Sequence, residues 1–319
     1  MASLRSFLLA AALPMTLVAA CGDDGGSTVV PEGTHYQYVS SEAFVPTNNN
    51  QAREYGLDLN GDKTPDNQLG MVLGTLSTMG FDVQGTIDEA VSEGSIILLV
   101  DFQTKDFTNT TAAGLKVLLG DMPMPAPCTD PQNPTPATCG KHLDGNGSFT
   151  IAAGSPDNAA VGGKIINGTF NGGPGNISLQ IALGGTDAIQ LDLIGARAKA
   201  SGITENGISS LVLGGALTEA DLNTKVIPAI HGQIAPLIAE DCNAPQSPPM
   251  CGCTSGSTGA TVLNLFDAAP KDCMVTVDEI KNNSLIQSLL APDVEIDGKQ
   301  ALSLGIKVVT KKATFPAQD

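Results

Sequence analysis

The sequence predicts an α+β fold: a curved antiparallel β-sheet packed on a long kinked helix, with a small helical N-terminal segment around an acidic loop. Three observations predict it. First, Ile177, Leu179, Ile181 and Leu183 alternate with Ser178, Gln180 and Ala182, and Ile189, Leu191 and Leu193 repeat the pattern after Gly184-Gly185-Thr186-Asp187. A period of two is what a half-buried antiparallel strand requires. Second, Leu222, Val226, Ile230, Ile234 and Ile238 recur every four residues, one apolar stripe on a helix from Thr218 to about Glu240. Pro228 and Pro236 each remove a backbone donor, so this helix should be kinked or split. Third, aromatic residues make up only 4% of the 319, Trp is absent and Gly numbers 36. The core must be built from Ile, Leu, Val and Ala.

The elements follow in order. Thr47 can cap a short helix that stops at Gly56. Asn67 can cap a second, with Leu69, Val72, Leu73 and Leu76 on one face. A third covers Thr86 to Ser92. Ile96 to Val100 is a compact apolar run with the character of a buried strand, and Leu115 to Leu119 suits its partner. Strands follow near 147–152, 163–170, 176–183, 188–201 and 207–213. Turn signals fall at Asn171-Gly172-Gly173-Pro174-Gly175 and Glu205-Asn206-Gly207. After the long helix come a cysteine-rich loop at 242–257 and short helices from 258 to 291, with Thr276 and Asn283 as caps. A last strand carries Leu302, Leu304, Ile306 and Val308. Residues 36–319 thus read as one α+β domain, 36–93 its helical segment and 94–319 its sheet and remaining helices.

Residues 1–20 read as a signal peptide. Arg5 supplies the positive end, and the fourteen residues Phe7–Ala20 are mostly apolar. They are too few to span a bilayer, which takes roughly 20. The run ends Val18-Ala19-Ala20-Cys21, which resembles a bacterial lipoprotein signal and implies diacylation of Cys21 and cleavage before it. Gly22 rather than aspartate follows, which by that resemblance favours the outer membrane. Residues 21–35 then form a lipidated, Gly- and Asp-rich tether. The expected partner is the membrane, reached through this anchor, and the expected location is the cell envelope. Loss of the signal leaves 15 basic and 33 acidic residues. That charge repels nucleic acid and anionic headgroups.

Seven cysteines are present, and lipidation of Cys21 leaves six. In an exported chain six cysteines read as three disulfides. Cys128 and Cys139 bracket a Pro-rich loop and pair with each other. Cys251 and Cys253 are too close to bridge. Each should reach one of Cys242 and Cys273, in either pairing. Zinc held by those four is the rival arrangement.

One segment has a definite chemistry. Asp58-Leu-Asn60-Gly-Asp62-Lys-Thr64-Pro-Asp66 places oxygen side chains at alternate positions, with Thr64 offering its backbone carbonyl. Calcium takes six to eight oxygens, and three carboxylates so close together need a cation. The segment resembles the calcium loops of integrin-type propeller and thrombospondin-type repeats, and the start of an EF-hand. Two departures argue against a true EF-hand: Lys63 stands at the glycine position and Leu69 at the bidentate glutamate. The missing ligand must come from Asn67, Glu54 or water. The expected cofactor is a structural calcium ion. His142-Leu-Asp144-Gly-Asn146-Gly-Ser148 is a weaker echo that a β-turn explains equally well.

Catalytic groupings are missing. There is no His-Glu-x-x-His, no Gly-x-Ser-x-Gly, no Walker loop and no dinucleotide fingerprint. His35 falls in the tether, His142 near a disulfide and His231 beside the apolar stripe. Ala20-Cys-Gly-Asp-Asp-Gly-Gly26, Leu57-Asp-Leu-Asn-Gly-Asp62 with Asp66-Asn-Gln-Leu-Gly70, and the block Asn282–Asp293 together resemble a family of lipoproteins from myxobacteria and related bacteria. The resemblance supports the address and implies no activity. The expectation is a non-enzymatic, calcium-stabilised, lipid-anchored envelope protein with a binding or structural role and an unknown envelope or extracellular partner. An envelope hydrolase with a scattered site, or a carrier of an apolar ligand, are the alternatives.

Overall fold

The strand Thr34–Phe44 (β1) decides the architecture. In the computed structural model, which describes residues 29–78, 82–156, 159–181, 189–242, 248 and 250–317, β1 pairs on both of its edges. One neighbour is β2 (Leu98–Thr104), the other β10 (Lys299–Thr314). Between them run β3 (Thr110–Met124), β5 (Ala160–Ile166), β6 (Thr169–Ile181), β7 (Ile189–Thr204) and β8 (Gly207–Leu217). Each pairs antiparallel with the next, and β8 pairs with β10. Eight strands therefore close into an antiparallel barrel. Two strands stand outside the ring. β4 (Gly147–Ile151) joins the far ends of β3 and β10, and β9 (Val294–Ile296) forms a hairpin with β10.

The expected curved sheet lying on a long kinked helix is therefore corrected. The sheet packs on itself. Closure removes the edge N–H and C=O groups that an open sheet must cover or charge. Eight strands leave an interior just wide enough for their own side chains. Tyr38, Val100 and Val117 sit abreast on adjacent strands, and so do Phe170, Ala200, Leu211 and Val308. All of these are buried. Phe102 and Phe170, on strands that are not neighbours, meet edge to face across the interior with centroids 5.3 Å apart. Gly172 makes room for that ring, since a Cβ there would lie 2.5 Å from Phe170 Cζ. The Gly172–Gly175 stretch, expected as a turn, is thus a bulged part of β6.

The helices leave from one end of the barrel. Strand direction alternates, so both long insertions, between β1 and β2 and between β8 and β9, start from the same end. Among the described residues, the strand connections at the opposite end are the short ones 105–109, 167–168 and 205–206. The first insertion carries α1 (Asn49–Glu54), α2 (Gln68–Thr78) and α3 (Val83–Glu93). Asn48, not Thr47, caps α1 by accepting the Asn50 and Gln51 N–H groups, and Asp82 caps α3. The second carries α4 (Glu219–Asp221), α5 (Ile227–Asp241), α6 (Thr258–Phe266), α7 (Val277–Asn282) and α8 (Ser284–Leu289). Thr218 opens the stretch read as one long helix. A π-turn at Leu222–Val226 divides it, with Pro228 in the first turn of α5 and Pro236 inside it. The stripe Leu222, Val226, Ile230, Ile234 and Ile238 is buried. Thr276 caps α7 in a reciprocal capping box with Glu279, and Asn283 caps α8.

Candidate functional site

The acidic loop joins α1 to α2 on the outer face of the barrel. An isolated bridge between Leu57 and Asp66 closes it. Leu59 anchors it by packing against Ala216, Val294, Ile296 and Ala301. Within the loop, Asp58 accepts the Gly61 N–H at 2.6 Å and the Lys63 N–H at 3.0 Å. Asn60 Oδ1 accepts the Asp62 N–H at 2.9 Å, and Asp62 Oδ1 accepts the Thr64 N–H at 2.7 Å. Asp66 accepts the Leu59 N–H at 2.7 Å. Lys63 has φ +71°, the left-handed conformation that the glycine of an EF-hand loop supplies.

Burial pushes the Asp66 carboxyl above its ordinary value, opposed by the Leu59 N–H and reinforced by the Asp62, Asp293 and Asp58 carboxylates. The donor set suits a hard cation in chemistry and spacing. Its oxygens, however, are turned onto the loop's own N–H groups. Among the described residues no three acidic, His or Cys side chains converge in a metal cage. The two side chains expected to complete the set are committed elsewhere. Asn67 donates to the Ala52 and Gly305 carbonyls and accepts the Gly70 and Gly305 N–H groups. Glu54 pairs with Lys307.

The six remaining cysteines form three disulfides: Cys128–Cys139, Cys242–Cys253 and Cys251–Cys273. The open choice at Cys251 and Cys253 is thereby decided, and all four zinc candidates are consumed. Cys21, the Val18–Cys21 motif and the tether as far as residue 28 lie outside the described residues. The chain beyond them docks at once. Val29 lies over Gly162 and Pro31 over Gly114, where a Cβ would come within 2.2 and 2.4 Å of them.

The histidines occupy places that spacing did not reveal. His35 belongs to β1, not to the tether, and its Nδ1 lies 3.0 Å from both carboxylate oxygens of the buried Asp101. His231 Nε2 lies 2.9 Å from the Val275 carbonyl, which fixes α5 to the loop ahead of α7. His142 is fully buried against Phe149, and neither ring nitrogen has a partner in hydrogen-bonding geometry; the Val91 backbone is nearby. Burial lowers its pKa to about 4. The Asp144-Gly145-Asn146 echo is a turn, with Gly145 at φ +90°, that feeds β4. Beside it an acidic cleft of about 520 Å³ is lined by Glu42, Asp88, Glu89, Glu93 and Asp144, with Lys311.

No helix among the described residues is long and apolar enough to cross a membrane. Comparison of the chain with known protein families, curated proteins and solved structures finds no match.

Proposed function

We propose that this chain is a lipid-anchored protein of the cell envelope, most simply the outer membrane, that acts by binding rather than by turnover. The observation that carries the reading is the Val18-Ala19-Ala20-Cys21 motif placed just ahead of the barrel. Cys21 stands eight residues before Val29, which docks on the barrel wall. At full extension that length spans at most about 29 Å. The barrel is then held close to the bilayer, not on a long stalk. Each buried acyl methylene contributes about 0.8 kcal/mol, so two or three chains hold firmly where one would not.

Binding is favoured over turnover because His142 is fully buried and His231 is held on the Val275 carbonyl. The acidic balance disfavours nucleic acid as a partner and favours a cationic or neutral one. Calcium belongs to the same reading as a structural ion at Asp58, Asn60, Asp62, Asp66 and the Thr64 carbonyl. The left-handed Lys63 supports it. Binding would require the Asp58 and Asp62 carboxylates to turn from the loop's N–H groups toward the ion.

The test is fractionation of cells that express the full chain, with and without Cys21→Ser. The unaltered chain is expected in the membrane pellet and labelled by palmitate. Cys21→Ser should lose the label. Equal labelling of both would sink the proposal.

A further inference from the structure

The two helical insertions meet along a seam. α2 and α3 of the first face α5, α6 and α8 of the second around a cavity of about 280 Å³. Val72, Leu76, Ile234, Val262, Phe266 and Leu289 contribute to its apolar wall. An apolar cavity of about 150 Å³ stays dry and accepts benzene. This one is nearly twice that size, and its lining forfeits dispersion contacts until something fills it.

Five polar side chains interrupt the apolar wall: Thr75, Asp82, Thr86, Gln233 and Thr258. Gln233 lines the cavity; its Nε2 has no hydrogen-bond partner and is shielded even from water, so it reaches the cavity only when the side chain turns. A buried donor left unpaired is destabilising. Three of the other polar side chains have partners of their own. Thr75 Oγ1 donates to the Met71 carbonyl, Thr86 Oγ1 donates to the Asp82 carbonyl, and Asp82 Oδ1 accepts the Gly85 N–H. No Lys or Arg stands among the described lining residues. An anionic head group would find no counter-charge there, whereas a neutral acceptor would find a donor.

We propose that this seam cavity binds a neutral ligand with a single aliphatic chain and one hydrogen-bond acceptor, the chemistry of a fatty-acid ester. A turn of the Gln233 side chain brings Nε2 to the cavity, where it donates to the ligand's carbonyl. The proposal rests on the reading of the chain as a binding protein and names the ligand class. The chain's own anchor starts from the other side of the barrel. Val29 docks on β5, which stands opposite β10 in the ring, and α2 lies against β10 through the bond from the Gln68 N–H to Ser303 Oγ.

The chain contains no Trp, so Phe266→Trp places a single indole in the cavity wall. The lipidated mature protein in nanodiscs is titrated with methyl bromolaurate, whose bromine quenches indole on contact. Saturable quenching is expected, several-fold weaker with the bromolaurate anion. Adding Gln233→Leu should weaken the ester about five-fold, the equivalent of one neutral hydrogen bond of about 1 kcal/mol. A bromoalkane without an acceptor should bind equally with or without that change. Quenching that never saturates, or that matches an indole placed remotely by Met250→Trp, would show partition into lipid alone and overturn the site. Saturable quenching indifferent to Gln233→Leu would overturn the assigned acceptor. Should Phe266→Trp fail to fold, Leu237→Trp supplies the indole from the half-buried rim. Palmitate labelling of Cys21 is a separate readout, so failure of the ligand class and failure of the anchor are distinguishable.

Discussion

At the scale of single residues, side-chain oxygens and amides take up backbone groups that would otherwise lack partners. The caps Thr276 and Asn283 follow from a side-chain oxygen two or three residues before an orphan N–H. Asn67 also caps α2, but its other partner, Gly305, is 238 residues away and no spacing rule reaches it. Asn67→Ala leaves both Gly305 backbone groups unpaired beneath α2. The expected cost is about 3 kcal/mol, and at about 2 °C per kcal/mol for a chain this large the melting temperature should fall by about 6 °C. A drop under about 1 °C would show that water replaces the amide. His142 gives a pH signature. Its folded pKa of about 4 lies below the ordinary 6.5. As pH falls, the unfolded chain takes the proton first. Stability is therefore complete above pH 6.5 and lost as the pH falls toward 4, by about 3 kcal/mol. Denaturant titrations of His142→Leu should show that part of the acid loss removed. An unchanged difference between pH 7 and pH 4.5 would contradict the assignment.

At the scale of elements, the helices were easier to read than the strand that closes the barrel. The apolar stripe of α5 is a local repeat, and the π-turn ahead of Pro228 splits the helix as two prolines suggest. β1 went unread because Thr34–Phe44 has no apolar alternation. Tyr36, Tyr38 and Ser40 supply its inner face, and Tyr38 hides its hydroxyl by donating to the Thr204 carbonyl. Glycine misled the reading of β6. Gly172 and Gly173 mark a turn in most sequences, but here Gly172 clears space for Phe170. The disulfides near α6 tie its loop to α5 and to the chain before α7. Cys251–Cys273 closes a separation of 22 residues, which by loop entropy stabilises the fold by about 3 kcal/mol. Replacing both cysteines by Ser should lower the melting temperature by about 6 °C and leave the barrel's far-UV spectrum intact. Loss of the sheet signal would show that the lobe and the barrel unfold together.

At the scale of the whole molecule, closure is a property that no segment carries. Seven of the eight barrel strands were readable at least in part, yet an open and a closed sheet of the same strands have nearly the same local pattern. The pairing of β1 with β10 spans most of the chain, with Tyr38 opposite Lys312. Calcium at the 58–66 loop would act on the whole molecule, because that loop staples α1 and α2 to β8, β9 and β10. A ligand that binds only the folded state at 100 times its dissociation constant adds about 2.7 kcal/mol. Excess calcium should therefore raise the melting temperature of the oxidised chain by about 5 °C over chelator. Asp62→Ala should abolish the difference. An equal shift in that variant would place the ion elsewhere. Lipidation of Cys21 carries the proposed function, and the intact mass of the N-terminal peptide of the mature protein tests it. A diacylglyceryl-modified, N-terminal Cys21 is the predicted result. An unmodified Cys21, or a chain that begins at any other residue, would contradict it.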